Sequence, residues 1–265
     1  FILMLTIMAK WRKQPARLIG LGVEGVRRRG AKWICRRIVA NCEAVCCRDE
    51  HSLNLLKNAG CNPDRLRLTA DVVLSGVLAQ QPKEWMQDSS LADRLKEAPA
   101  PLVIGLHQSP LRGFIDIEEI TTLINTLLQS FPNDPIVVVS NDARPGFDAT
   151  LLDRLKEAMH DARVSFEHFN SVERIVSVYG TAKCVISVRM HPLILGLIHR
   201  MPVVGIGRTN KVKALADRLN IPILDSATMT WSDLPGLVNQ AINQEARDLK
   251  EVEALSWRNF DGLDT

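Results

Sequence analysis

The sequence predicts an α/β protein of two domains built on parallel sheets. Three observations point there. Apolar runs of strand length alternate with amphipathic runs of helix length along most of the chain. The strand-like runs end in glycine or in Arg, Asp and His, where open parallel sheets carry their ligands. The alternation breaks up once, from Ala79 to Pro101, into Gln, Pro, Ser, Asp and a short charged stretch. Expected boundaries are a partial amino-terminal domain over 1–80, a linker over 81–100, a carboxy-terminal domain over 101–226 and closing helices over 227–265.

Each element has a local reason. Phe1 to Met8 is too short to span a bilayer and lacks the basic flank and cleavage site of a signal peptide. It reads as the end of a buried helix closed by Lys10, Arg12, Lys13 and Pro15. A chain opening inside a helix without an initiating Met suggests a fragment. Ala16–Leu21 is a short strand, Ala31–Ala40 a helix basic on one side, and Ala44–Cys47 a strand. Glu50–Asn58 is a helix stopped by Gly60, and Leu66–Thr69 is a strand.

Beyond the break, strands are expected at 102–106, 136–139, 164–167, 184–188, 203–206 and 223–224. Helices are expected at 117–131, 149–160, 172–179, 193–199 and 211–219. Residues 234–257 are amphipathic and make one or two closing helices.

Composition limits function. The chain has 265 residues, a net charge of +3 and an aromatic fraction of 5%. That suits an anionic small-molecule substrate and argues against a nucleic-acid partner, which needs a stronger basic bias. The six cysteines form no CxxC pair, so no metal site is expected and the thiols read as buried.

Four constellations carry chemistry. Arg189 and His191 end an apolar strand and stand where Pro192 opens a helix, a place that favours an anion. Lys211 follows the next strand, whose loop emerges at the same sheet edge. Arg48, ahead of Asp49, ends an earlier strand; a strand-end ion pair and an anion-binding role both fit it. Gly20 and Gly22 open a GxGxxG match, but Arg27, Arg28, Arg29 and Gly30 interrupt the helix a dinucleotide fold needs, so a tight turn is the better reading. His107 and Arg112 are second-rank candidates at the same edge as His191. The run of arginines from Arg27, with Arg36 and Arg37, is expected to be a solvated basic face, with a peripheral membrane contact left open.

Taken together these residues resemble the polysaccharide pyruvyl transferase family. The strongest stretch is Ser187-Val188-Arg189-Met190-His191-Pro192-Leu193-Ile194, followed by Pro202 and by Lys211-Val212. Arg48-Asp49 with Ser52, Leu55, Leu56 and Gly60, and Thr69-Ala70-Asp71, match further blocks in order. The resemblance implies a GT-B-like pair of Rossmann-type domains, the amino-terminal one incomplete here, with the site in the cleft between them. It also implies pyruvyl transfer from phosphoenolpyruvate to a sugar of a cell-surface polysaccharide or its lipid-linked precursor, in the cytoplasm. It makes His191 and Lys211 the catalytic pair and Arg48, Arg189 and Lys211 the donor-binding cations. Phosphoenolpyruvate is then a co-substrate, with no cofactor. The alternatives are a nucleotide-sugar glycosyltransferase or epimerase on the same scaffold, a truncated glycan-binding relative, and, on the glycine match alone, an NAD enzyme.

Overall fold

The computed structural model describes residues 1–76, 99–107, 116–142, 144, 146–169, 171–225 and 227–262. The chain divides into two compact units, Phe1–Val77 with Asp248–Thr265, and Leu78–Arg247. Most of the expected linker, residues 81–98, lies outside the described residues.

The first unit runs α1 (Ile2–Trp11), β1 (Arg17–Leu21), α2 (Arg29–Asn41), β2 (Ala44–Cys47), α3 (Glu50–Asn58) and β3 (Leu66–Leu68). The three strands form a parallel sheet in the order β1-β2-β3. All four residues of β2 are buried, as a central strand covered on both faces requires. Asp49 caps α3 by accepting a 2.7 Å hydrogen bond from the Ser52 N–H. Gly60 follows that helix at φ +80°, a conformation open to glycine at little cost.

Val26, Val39, Cys42, Val45, Cys47, Leu56, Ala59 and Cys61 make up the core of this unit. Burial, followed by Asp49 and the neighbouring thiols, pushes the Cys47 thiol up to about 12. It stays protonated at neutral pH and packs as a small apolar group.

The first helix departs from expectation. Predicted as the end of a buried helix, α1 has its N-cap Phe1 92% and its last residue Trp11 82% exposed, and only Thr6 of the helix is buried. Its apolar residues surround the whole helix, so packing against α2 covers one side and leaves the rest in solvent. The arginines from Arg27 to Arg29, with Arg36 and Arg37, are exposed as expected, and Arg37 lies 5.6 Å over the Trp33 ring. No helix among the described residues is long and apolar enough to cross a membrane.

In the second unit each strand is followed by a helix or loop that returns the chain to the sheet. The elements are β4 (Leu102–Gly105), α4 (Ile117–Ser130), β5 (Ile136–Ser140), α5 (Asp148–Ala158), β6 (Val164–His168), α6 (Val172–Gly180), β7 (Cys184–Ser187), α7 (Met190–Ile198), β8 (Val203–Ile206), α8 (Asn210–Leu219), β9 (Ile223–Leu224) and α9 (Leu234–Asn243). The six strands are all parallel, in the order β6-β5-β4-β7-β8-β9. The chain builds outward from β4 to β6, returns to lay β7 on the other side of β4, and builds outward again. That is the doubly wound Rossmann order, and it leaves a crevice where the direction reverses, between β4 and β7.

Helix α4 shows why the sequence folds locally. Asp116 and Glu119 form a reciprocal capping box at its start. Ile120, Leu123, Ile124, Leu127 and Leu128 then recur at helical spacing and are buried. They join β4, β5, β7 and β8 residues in one core. Each such side chain contributes about 1.5–3 kcal/mol when fully buried.

The closing segment resolves into two helices. After α9, α10 (Lys250–Trp257) belongs to the first unit, where Ser256 Oγ donates to the Asp71 carbonyl at 2.8 Å.

Candidate functional site

Gly105, Ser187 and Gly205 stand level across β4, β7 and β8. Both glycines let a helix start close to its strand end. A Cβ on Gly105 would fall 2.8 Å from Ser187 Oγ and 3.1 Å from Pro192 Cβ; one on Gly205 would fall 3.0 Å from Val212 Cγ1. Ser187 Oγ donates to the Gly105 carbonyl at 3.0 Å and accepts from the Arg189 N–H at 2.9 Å. One hydroxyl thereby ties the two strands at the reversal point and fixes the backbone of Arg189.

Arg189 is the N-cap residue of α7, in extended backbone, and makes no side-chain cap. The first-turn N–H groups of a helix have no intrahelical partner, and the dipole there favours negative charge. His191 is the second residue of α7 and is exposed. Lys211 is the second residue of α8 and is half-buried; Thr209 caps that helix by accepting from the Val212 N–H at 3.3 Å. Since β7 and β8 are hydrogen-bonded neighbours, His191 and Lys211 hold equivalent positions in consecutive strand–helix units at one sheet edge. Arg208, on the loop that leads into α8, is held elsewhere: it pairs with Glu119 and lies 5.9 Å from the Trp231 ring.

Sequence reasoning missed Asp148, the first residue of α5, whose side chain is 0% exposed. Its Oδ1 accepts a 2.9 Å hydrogen bond from Arg189 Nη2, and His107 Nδ1 lies 3.8 Å from the same oxygen. Its Oδ2 accepts from the Asn141 N–H at 3.3 Å. Behind it, the Tyr179 hydroxyl donates to Asn141 Oδ1 at 2.9 Å, and burial raises that phenol above its ordinary value. Three strand ends thus meet on one carboxylate: His107 after β4, Asp148 after β5 and Arg189 after β7. In the sequence Asp148 looks like any helix-start acid, and Ser187 looks like one more member of an apolar run. Arg112 lies outside the described residues.

In the first unit Arg48 donates from Nη1 to Asp71 Oδ2 at 2.9 Å and lies 3.6 Å from Asp49. Gly22 makes room for it, since a Cβ there would come within 2.7 Å of the guanidinium. Gly20, at φ +60°, donates its N–H to Asn259 Oδ1 at 2.9 Å. The two glycines therefore shape a turn around Arg48. The third glycine of the match, Gly25, opens no helix; α2 starts only at Arg29. The tight-turn reading fits this geometry, and the dinucleotide fingerprint does not.

A model of the polysaccharide pyruvyl transferase family matches residues 2–210. No curated protein matches the chain at a significant level. Among solved structures, UDP-GlcNAc 2-epimerase from Neisseria meningitidis bound to UDP-GlcNAc is similar at a TM-score of 0.68 and 14% identity, covering 98% of this chain and 72% of that one. UDP-GlcNAc 2-epimerase from Methanocaldococcus jannaschii is similar at 0.68 and 11%, covering 93% and 69%. Anabaena HepE in complex with UDP and glucose is similar at 0.59 and 16%, covering 98% and 71%. At these identities the likeness is one of fold: two-domain, parallel-sheet proteins of the GT-B kind.

Proposed function

The chain belongs to the polysaccharide pyruvyl transferase family, and from that premise we propose that it transfers the pyruvyl group of phosphoenolpyruvate to two hydroxyls of a sugar, closing a ketal and releasing phosphate. The acceptor class is a cell-surface polysaccharide or its lipid-linked precursor. The observation that carries the reading is the edge formed by β7 and β8, where Arg189 and His191 stand at one helix start and Lys211 at the next.

The donor asks for such an edge. Phosphoenolpyruvate carries a phosphate and a carboxylate, and an uncapped helix start with a guanidinium and an ammonium offers both a counter-charge. Protonation of its methylene carbon makes the methyl group and leaves C2 electron-poor. One sugar hydroxyl adds to C2 and gives up its proton. The second hydroxyl then displaces phosphate from C2, and its proton leaves with the phosphate or a nearby base. His191 is the side chain suited to moving protons near neutral pH. Lys211 and Arg189 stabilise charge on the departing phosphate. Arg48 joins the donor-binding set on the family resemblance alone.

Two measurements test this. Calorimetric titration with phosphoenolpyruvate, UDP and UDP-GlcNAc separates pyruvyl transfer from a nucleotide-sugar reaction, the rival that the fold likeness raises. Binding of phosphoenolpyruvate but not UDP is expected; the reverse pattern rejects the proposal. Phosphate release on adding lipid-linked sugars follows turnover. His191→Ala should lower it by about 10²–10⁴ and Lys211→Ala by about 10²–10³, both with wild-type circular dichroism.

A further inference from the structure

Asp148 is the most completely buried acidic side chain among the described residues. A helix-start acid normally faces solvent and serves only its own helix. This one instead meets Arg189 from β7 and His107 from β4, across the reversal point of the sheet. We infer that Asp148 is the positioning residue of the site: it fixes the Arg189 guanidinium before any donor arrives.

The reasoning starts from the cost of the arrangement. A carboxylate out of water is tolerated only when hydrogen-bonded and paired. Arg189 Nη2 and the Asn141 N–H occupy one oxygen each. A fully exposed Arg loses rotamer freedom when it clamps an anion. Here the backbone N–H of Arg189 is tied to Ser187 and one guanidinium nitrogen, Nη2, to Asp148, so part of that freedom is lost on folding rather than on binding. The supporting layer is itself fixed, because Tyr179 is buried and bonded to Asn141, and Phe169 packs edge-on against Tyr179 at 6.3 Å. Asp148 touches no reacting atom in this scheme and acts through Arg189.

That Arg189 meets a donor rests on the function proposed above; that Asp148 holds Arg189 does not, and the test separates them. In ¹⁵N-labelled protein, the Arg189 guanidinium signals are identified by their loss in Arg189→Lys. Hindered, separately resolved Nη protons are expected in the wild type without ligand. Averaged signals, as from a freely rotating arginine, would overturn the inference, and this measurement needs no Asp148 variant to fold. In Asp148→Asn, which keeps the shape and removes the charge, the Arg189 signals should collapse towards the average; unchanged signals in a folded variant would also overturn it.

Calorimetry with phosphoenolpyruvate then reads the consequence. Asp148→Asn should weaken binding about tenfold, with KM rising in parallel, and should lower kcat too, because Arg189 also meets the departing phosphate. A carboxylate that merely stabilised the fold would lower Tm and leave the Kd of the folded variant alone. A wild type that binds no phosphoenolpyruvate rejects the proposed function and leaves the guanidinium signals to decide on Asp148. A wild type that binds it, with Asp148→Asn binding equally well, rejects the positioning role.

Discussion

Ser187 turns strand geometry into site geometry. It is fully buried, and its hydroxyl is both donor and acceptor at the sheet's reversal point. Ser187→Ala would leave the Arg189 N–H without that acceptor and the Gly105 carbonyl without that donor. Orphaning a buried polar group costs about 1–3 kcal/mol, so a loss in that range is expected in the urea midpoint. A loss near zero would mean that the strand ends are held by other means. His199 shows the pH dependence a single residue can carry. Its Nε2 is buried with no hydrogen-bond partner among the described residues, its ring lies 3.2 Å from where a Cβ on Gly180 would be, and burial lowers its pKa from 6.5. The unfolded chain therefore takes up this proton first, and stability is lost as pH falls below about 6.5. His199→Gln removes that loss, so its urea midpoint should fall less than the wild type's between pH 7.5 and pH 5.5. Equal falls would show that the imidazole is not the group responsible.

At the scale of elements, helix α4 offers a test of local coding. Asp116→Ala breaks the capping box and should cost about 1 kcal/mol, whereas Leu127→Ala, in the buried stripe, should cost about 2–5 kcal/mol. Chemical denaturation of the two variants checks the ratio. Local signals of this kind explain why so much of the fold was legible in the sequence. The Ser187–Pro192 stretch announced a strand, a turn and a helix, and β7 and α7 lie there. Gly60 marked the end of α3 on propensity alone. Two things were not legible, for different reasons. The exposure of α1 depends on what packs against it, and an apolar composition cannot report that. Asp148 acquires its partners from β4 and β7, at positions 41 residues or so away along the chain, so no spacing rule marks it. The sequence did place Arg189, His191 and Lys211 on neighbouring strand ends, because a strand–helix repeat delivers every such loop to one edge.

For the whole molecule, strand order is the level that local signals do not reach. Periodicity gave the strands of the second unit, but the return of β7 to the side of β4, and with it the crevice, is a property of the folded topology. The first unit poses the same problem more sharply, because it is built from both ends of the chain. Asn259 makes that closure. Its Oδ1 accepts from the Gly20 N–H at 2.9 Å and from Thr69 Oγ at 3.0 Å; its Nδ2 donates to the Ala70 carbonyl at 2.9 Å and the Ser256 carbonyl at 2.8 Å. Those are all the hydrogen bonds a side-chain amide can make with two acceptor sites and two donors. Its 1% exposure means that no water stands ready to replace them. Two of the tethered segments also seat Arg48: Gly20 begins the turn that ends in Gly22, and Ala70 precedes Asp71. Asn259→Ala orphans several buried groups at once, so a loss of at least about 3 kcal/mol is expected. Hydrogen exchange should show it first at the Gly20 and Thr69 segments, 239 and 190 residues from the substitution. Asn259→Asp keeps the acceptor and loses two donors, and should fall between the wild type and the alanine variant. If both substitutions leave amide protection around Gly20 unchanged, the carboxyl-terminal segment is an appendage of the first unit and not a structural part of it.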